Sequence, residues 1–236
     1  MSLVRFKSSS QLYYYLYNEE EVMKVLNIRT YPLGPVQANC YLISNSNKEC
    51  LVIDPGGEGD TLVHQIRAHN LKPIAILLTH AHFDHIGAVD NVRNTFKIPV
   101  YLHKKESNWL QEPMKNGSGR YAEIPNIQIE PADYLIDQEQ RLELANFTFD
   151  ILYTPGHSPG SIAFVFKDEG FAIVGDTLFE GSIGRTDLEG GNSKQLLESI
   201  HDKLLTLDEE TIIYPGHGNP TRVDIEMEQN PFLNGF

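Results

Sequence analysis

The residues best suited to chemistry in this sequence lie in one short run, from Thr79 to His85. Four side chains that can bind a metal ion occupy six positions there: His80, His82, Asp84 and His85. His80 and His82 are two residues apart, so their imidazoles project to the same side of an extended segment. Asp84 and His85 follow where the chain turns into a predicted helix, and they therefore point to a neighbouring position. This spacing favours two adjacent metal ions over one closed tetrahedral site.

Three further turns each place a potential ligand directly after a strand-like run. The ligands are His157 in a Thr-Pro-Gly-His turn, Asp176 in Val-Gly-Asp-Thr and His217 in Tyr-Pro-Gly-His. Gly and Pro fix the backbone in such turns and let it pass close to a buried ion. A single Pro-Gly-His is usually only a turn, and a single Asp after a strand is more often a helix cap. The metal prediction therefore depends on the His-x-His-x-Asp-His cluster, which has little value for packing.

Other residues of chemical interest are predicted to have ordinary structural roles. The histidines without a partner in the sequence are expected to be solvated at the surface: His64, His69, His103 and His201. Cys40 and Cys50 lack Cys-x-x-Cys spacing, and we expect reduced side chains packed in strands. Ser158 and Ser161 lack a Gly-x-Ser-x-Gly elbow, which argues against a serine hydrolase.

The hydrophobic pattern predicts the elements that position these residues. Strands are expected at 25–29, 39–44, 50–53, 74–78, 100–102, 134–136, 142–144, 147–153, 162–166, 171–174 and 211–214. Helices are expected at about 58–70, 87–96 and 193–207, the last with Ser193 as its N-cap. Two β-rich halves that each carry helices predict an α/β protein in which two sheets pack face to face with the helices outside.

The composition is that of one globular enzyme domain, with 236 residues of which 41% are hydrophobic. The formal net charge of −13 argues against nucleic acid as a partner. No apolar stretch reaches the roughly 20 residues of a membrane span, and the first residues lack a secretory pattern. We therefore expect a cytoplasmic protein without a membrane partner; its oligomeric state is left open. Residues 1–22 are predicted to be an extension that is disordered, a short helix or foreign to the native chain, and residues 23–236 to be a single catalytic domain.

Four ordered motifs resemble those of the metallo-β-lactamase superfamily, and more narrowly its glyoxalase II-like hydrolases. They are Thr-His-Ala-His-Phe-Asp-His (79–85), Pro-Gly-His-Ser-Pro-Gly-Ser (155–161), Gly-Asp-Thr-Leu-Phe (175–179) and Pro-Gly-His-Gly (215–218), and the resemblance spans about residues 25–220. It implies the metallo-β-lactamase fold, a four-layer αββα sandwich of two mixed β-sheets flanked by helices.

The resemblance also implies a centre of two divalent metal ions. The implied ligands are His80, His82 and His157 for one metal and Asp84, His85 and His217 for the other, with Asp176 bridging the two. Zinc is the expected metal, although iron and manganese suit the same ligands. A hydroxide bridging the metals would be the nucleophile, and Asp84 is the predicted catalytic residue that accepts or relays its proton. Asp54, Thr79 and Ser158 are close enough in sequence to orient the ligand imidazoles.

The predicted reaction is hydrolysis of a thioester to an acid and a thiol, so the expected partner is a small acyl-thiol. Only 19 residues follow His217, fewer than the C-terminal helical region with which full-length glyoxalase II binds glutathione, so the thiol is left open. Arg185, in a Gly-Arg-Thr-Asp run, is suited to clamp a substrate carboxylate. A structural ion pair with Asp187 or Asp176 is the equal alternative.

Several other functions of the same superfamily stay open. One is an iron-dependent persulfide dioxygenase, which is similar around the Gly-Arg-Thr-Asp run, and another is a lactonase. A non-catalytic metal-binding protein that kept the fold is a third. The net charge disfavours a ribonuclease relative. A β-lactamase is less expected, because the complete His-x-His-x-Asp-His set with Asp176 is typical of the thioesterase-like branch.

Overall fold

The computed structural model describes residues 3–5, 14–16 and 26–233. Two short strands, β1 (Leu3–Arg5) and β2 (Tyr14–Leu16), pair antiparallel. The rest of the predicted extension at 1–22, and the first residue of the strand predicted at 25–29, lie outside the described residues. The division into an extension and one domain stays a prediction.

The first large sheet has six strands in sequential order. Its strands are β3 (Asn27–Leu33), β4 (Ala38–Ser44), β5 (Glu49–Ile53), β6 (Lys72–Leu77), β7 (Val100–His103) and β8 (Tyr134–Ile136). The first three pair antiparallel, whereas β5 through β8 pair in parallel, so the sheet is mixed. Its helices are α1 (Gly59–Ala68), α2 (Phe83–Ile86), α3 (Val89–Phe96) and α4 (Pro113–Asn116), with 3₁₀ turns at Lys104–Glu106, Trp109–Gln111 and Ser118–Arg120.

The second large sheet is built from the rest of the chain and includes one parallel pair. Its strands are β9 (Gln140–Leu144), β10 (Phe147–Tyr153), β11 (Ile162–Phe166), β12 (Phe171–Gly175), β15 (Ile212–Pro215) and β16 (Thr221–Arg222). Between β12 and β15, the strands β13 (Leu178–Phe179) and β14 (Ser182–Ile183) form a separate hairpin. The sheet order is β16-β15-β12-β11-β10-β9, in which only β12 and β15 run parallel. A 3₁₀ turn lies at Lys167–Glu169, and the helices are α5 (Ser193–Ser199), a π-helical continuation at Ile200–Leu204, and α6 (Val223–Gln229).

Side-chain alternation along the strands separates three buried apolar layers. On β4, Tyr41 and Ile43 join a core shared by both sheets, whereas Cys40 and Leu42 face the layer that contains α1 and α3. On the far side of the second sheet, a third core packs against α5 and α6. Helices therefore cover both outer faces, and the αββα sandwich expected from the sequence is confirmed.

Most of the predicted elements are present, and their differences lie at the ends. The helix expected at 193–207 is α5 with its π-helical continuation, but Ser193 is not its N-cap. Asn192 is the cap, because its side chain accepts a hydrogen bond from the Gln195 N–H. Within the described part of the chain, no helix is long and apolar enough to cross a membrane.

The predictions for the isolated residues had mixed outcomes. Cys40 and Cys50 are free and buried, as expected, and burial raises the pKa of Cys50 to about 12. His64 is exposed. His103 is not solvated: it is buried and its ring stacks on that of Tyr153, with centroids 4.8 Å apart. The strand β7 carries it into this position, so the surface prediction for His103 was wrong.

Candidate metal centre

The predicted ligands all lie just beyond the ends of strands, at one edge of the sandwich. His80 and His82 follow β6, and Asp84 and His85 lie in α2, the short helix after it. The others follow three strands of the second sheet: His157 after β10, Asp176 after β12 and His217 after β15. Both sheets therefore contribute, and the site is complete only where their edges meet.

Six of these residues form two groups that could each hold a metal ion. The first triad is His80, His82 and His157, and the second triad is Asp84, His85 and His217. Within each triad the ligand atoms all lie within 4.8 Å of one another. The tightest approach in the first is 2.8 Å, between His82 Nδ1 and His157 Nε2. In the second, His217 Nε2 lies 3.1 Å from Asp84 Oδ2.

Asp176 lies between the two triads. Its Oδ1 is 3.4 Å from His85 Nε2, and its Oδ2 is 3.6 Å from His157 Nε2 and 3.5 Å from His217 Nε2. One carboxylate thus faces ligand atoms of both groups. The His and Asp clusters fit a binuclear metal site with Asp176 in the shared position.

Asp54 and Thr79 set the proton positions on two ligand rings. Asp54 Oδ2 accepts a hydrogen bond from the Thr79 hydroxyl at 2.5 Å and lies 3.0 Å from His85 Nδ1, which therefore donates to it. Because the Thr79 proton is used on Asp54, Thr79 Oγ1 acts as acceptor toward His80 Nδ1, 3.1 Å away. Both rings then carry a proton on Nδ1, so Nε2 is the nitrogen through which each neutral ring would bind a metal ion.

His157 is oriented in the same way by the backbone. Its Nδ1 donates to the Arg185 carbonyl oxygen at 2.8 Å, which leaves Nε2 free to face His82 and Asp176. Asp54 and Thr79 therefore contact the rings of two predicted ligands, His85 and His80. Ser158 does not contact a ligand ring, because its hydroxyl donates to Glu106 instead.

Atoms without a partner test whether the site suits a cation. Among the described residues, the buried atoms that lack a hydrogen bond include His80 Nε2, His85 Nε2 and Asp176 Oδ1. Buried polar atoms are almost always paired, so a group of unpaired lone pairs facing one another calls for an electrophile. Gly216 leaves the necessary room, since a Cβ there would lie 2.0 Å from Asp176 Oδ1. These residues fit two metal ions.

The charge state of the site also suits cations. Burial lowers the pKa of His82 to about 3 and holds that of His80 well below its usual value. The pKa of Asp176 is well below its usual range, because the attraction of His85 and neighbouring histidines outweighs burial. Burial opposes a charge on His85, yet Asp84 and Asp176 raise its pKa. His80, His82 and Asp176 are thus in the states that metal binding requires. The Asp84 hydrogen bond raises the pKa of His217 against burial, so His85 and His217 would each release a proton to a metal ion.

Arg185 is paired within the protein. Its Nε and Nη2 donate to the two carboxylate oxygens of Asp187 at 2.7 and 2.8 Å. Of the two alternatives left open by the sequence, this structure shows the ion pair with Asp187. The pair is exposed, with 55% of the Arg185 side chain accessible to solvent.

A cleft of about 470 Å³ opens over the two triads. Asp84, Asp176, His157 and His217 form part of its floor. Its walls are mainly apolar and come from Val36, Phe83, Tyr121, Ile124, Phe179, Ile183 and Leu188. Small ligands bind in clefts of this size and character. The wall from the 112–126 segment could not be anticipated, because that segment has no clear periodicity.

Comparisons with known proteins agree with this geometry. The family described as the metallo-beta-lactamase superfamily matches residues 33–217. "Probable metallo-hydrolase YqgX" of Bacillus subtilis is 53% identical, covering 88% of this chain and 98% of that protein. "Hydroxyacylglutathione hydrolase GloC" of Haemophilus influenzae is 39% identical over 89% of this chain and 99% of its own length.

Two solved structures are similar to the whole described sandwich. The BLEG-1 B3 metallo-beta-lactamase has a TM-score of 0.87 and 51% identity, covering 89% of this chain and 100% of that one. TTHA1623, solved in a di-iron-bound form, has a TM-score of 0.76 and 38% identity, covering 87% and 100%. A similar protein thus holds two metal ions.

Proposed function

This chain is a metallo-hydrolase that belongs to the metallo-beta-lactamase superfamily, and from that premise we propose that it hydrolyses thioesters at a binuclear metal centre. The observation that carries the proposal is the pair of triads that share Asp176. The 39% identity to a hydroxyacylglutathione hydrolase supports a thioester as the substrate class.

In this proposal the seven predicted ligands hold two divalent cations, of which zinc is the first choice and iron or manganese the alternatives. When bound, such ions supply Lewis acidity toward a carbonyl oxygen and lower the pKa of water. In the first triad, the Nδ1 hydrogen bonds of His80 and His157 direct the Nε2 lone pairs of both rings into the site, so these two ligands would bind a metal ion without rearrangement.

Asp84 is proposed to manage the proton of the attacking water. Its Oδ2 is engaged with the second triad, 3.1 Å from His217 Nε2 and 3.6 Å from His85 Nε2. Asp84 also lines the cleft. Because Oδ2 is engaged, Oδ1 is proposed as the atom that accepts the proton. Nearby histidines lower the pKa of Asp84 against the effect of burial, which keeps it ionised as an acceptor.

The cleft is proposed to take a small acyl-thiol. Its apolar walls suit the carbon chain on either side of the scissile carbonyl. Arg185 is proposed to contact a substrate carboxylate at the rim. An exposed ion pair such as Arg185–Asp187 is weak because solvent screens both charges, so a carboxylate of the substrate can compete with Asp187 for the guanidinium.

Hydrolysis of a β-lactam ring is the second candidate. It is favoured by the 51% identity to the BLEG-1 B3 metallo-beta-lactamase. Amide and thioester carbonyls need the same Lewis acid and nucleophile, but the β-lactam nitrogen must also receive a proton as its C–N bond breaks, whereas a thiol can leave as the thiolate.

A substrate panel tests the proposal. Protein carrying two equivalents of zinc, iron or manganese is assayed against glutathione thioesters, thioesters of smaller thiols, lactones and β-lactams. We expect the highest kcat/KM for a thioester and loss of activity after chelation. His82→Ala should lower kcat/KM by at least about 100-fold, whereas the exposed His64→Ala control should not change it. Faster turnover of β-lactams than of every thioester would favour the second candidate. Oxygen consumption without hydrolysis by the iron form would refute both.

A further inference from the structure

Glu106 is a buried carboxylate that the mechanism above does not use. It is the last residue of the Lys104–Glu106 turn and is fully shielded from solvent. Burial raises the pKa of its carboxyl despite the hydrogen bonds that it accepts. An acidic side chain is rarely buried in this way unless its oxygens are fully used.

The hydrogen bonds of Glu106 reach the two loops that carry the first triad. Its Oε2 accepts the Ala81 N–H at 2.6 Å, and its Oε1 accepts the Gly160 N–H at 2.7 Å and the Ser158 hydroxyl at 2.5 Å. Ala81 is the residue between His80 and His82, and Ser158 directly follows His157. One carboxylate thus joins the loop that carries His80 and His82 to the loop that carries His157.

The joined loops are also packed tightly around this side chain. A Cβ at Gly160 would lie 2.9 Å from the Glu106 carboxyl carbon, so the loop can approach the carboxylate only because Gly160 has no side chain. The two loops meet at the 2.8 Å approach of His82 Nδ1 to His157 Nε2. Metal–nitrogen bonds tolerate only about 0.2 Å of error, so small movements between these loops would matter to a bound ion.

We propose that Glu106 is a positioning residue for the first triad, holding the loop of His80 and His82 against the loop of His157 so that this triad binds its metal ion tightly. This role rests on the metal centre of the proposed function but not on the identity of the substrate. The experiment therefore measures metal binding rather than turnover.

The chemistry of the amide predicts the effect of Glu106→Gln. A glutamine keeps the shape of the side chain but replaces one acceptor oxygen with an NH₂ group. In either orientation that NH₂ faces a backbone N–H, of Ala81 or of Gly160, and one loop loses its attachment. Ser158→Ala removes only one of the three bonds and should give a smaller effect of the same kind.

Glu226 provides a matched control. It is equally buried and accepts hydrogen bonds from the Gly181 N–H, the Thr221 hydroxyl and the Asn230 side-chain amide. None of these partners is adjacent to a ligand. Glu226→Gln should therefore disturb folding to a similar degree without releasing a metal ion from the first triad.

The test measures zinc affinity by chelator competition and the visible spectrum of the cobalt-substituted protein. His82→Ala and His217→Ala supply the reference spectra for loss of the first and the second site. For Glu106→Gln we expect one zinc ion with wild-type affinity, the other weakened at least about tenfold, and a cobalt spectrum like that of His82→Ala. Glu226→Gln should keep both ions.

Three results would overturn the proposal: two zinc ions held by Glu106→Gln with wild-type affinity, equal weakening of both sites, or the same loss in Glu226→Gln. If Glu106→Gln does not fold, Ser158→Ala decides the question, and unchanged zinc affinity of both sites in that variant refutes the proposal. Wild-type protein that binds two zinc ions without hydrolysing thioesters would refute the proposed substrate and leave the role of Glu106 intact.

Discussion

Asp54→Asn should weaken both metal sites at once, although Asp54 is not a predicted ligand. Asp54 Oδ2 receives the Thr79 hydroxyl proton and the His85 Nδ1 proton. The Thr79 N–H occupies Asp54 Oδ1 at 2.8 Å, so the amide oxygen of an asparagine is expected to stay there and its NH₂ to replace Oδ2. That NH₂ would donate one hydrogen bond to His85 Nδ1 and one to Thr79 Oγ1. The Thr79 hydroxyl would then donate its own proton to His80 Nδ1.

The reversed hydrogen bonds move protons onto the wrong nitrogens. His80 and His85 would both be driven to the tautomer that carries the proton on Nε2, the atom that faces the site. Losing such an orienting partner costs about 10–100-fold in metal affinity, or about 1.4–2.7 kcal/mol per site. Because His80 belongs to the first triad and His85 to the second, both dissociation constants should rise.

Thr79→Val separates the two effects. It removes the hydroxyl that orients His80 but leaves Asp54 in contact with His85, so only the first site should weaken. Chelator competition with zinc gives both dissociation constants for each variant, and thermal unfolding without metal reports the change in fold stability. Asp54→Asn protein that binds both ions as tightly as the wild type would refute the assignment of proton positions.

Three further predictions concern the proton acceptor, the room for the metals and acid stability. Asp84→Asn should lower kcat for the best thioester by about 10²–10⁴-fold, as measured by steady-state kinetics on protein whose metal content is determined in parallel. Gly216→Ala should reduce bound metal below two ions per chain in elemental analysis, because its Cβ would lie 2.0 Å from Asp176 Oδ1. Burial, with a contribution from Lys105, lowers the pKa of His103 from 6.5 to about 4. Between about pH 6.5 and pH 4 only the unfolded state takes up this proton, so the free energy of unfolding should fall as the pH falls. Urea unfolding at pH 7 and pH 5 should show a smaller fall in the free energy of unfolding for His103→Gln than for the wild type, and an equal fall would contradict the shifted pKa.

The placement of the predicted ligands at the ends of strands could be predicted because its signal is local. Each of these residues lies next to an apolar strand and within a Gly- or Pro-containing turn, or in the cluster from His80 to His85. The alternating strands also predicted two sheets and their outer helices. These features depend on neighbours in the sequence, and short-range patterns record them well.

Glu106 and His103 were not predictable in this way. The run His103-Lys104-Lys105-Glu106 reads as a charged surface turn, yet both of its end residues are buried by contacts with segments about 50 residues away. The ion-pair partner of Arg185 was left open for a related reason. The sequence offered two carboxylates, and only the folded loop shows that Asp187 is the partner. The cap at Asn192 differs from the predicted Ser193 because both residue types can cap and their order alone does not choose between them.

The two triads are completed by strand ends at different positions in the chain, which has a consequence for synthesis on the ribosome. His157 precedes His217 by 60 residues in the chain, so the first triad leaves the ribosome complete while the second still lacks a member. Chains emerge at about 5–20 residues per second and their N-terminal parts fold first, which gives the first triad a lead of several seconds. The strand β15, which brings His217 to the edge, must also join in parallel beside the earlier β12, and such non-local pairing is slow. The two ions are therefore expected to be acquired in sequence, the all-histidine triad first.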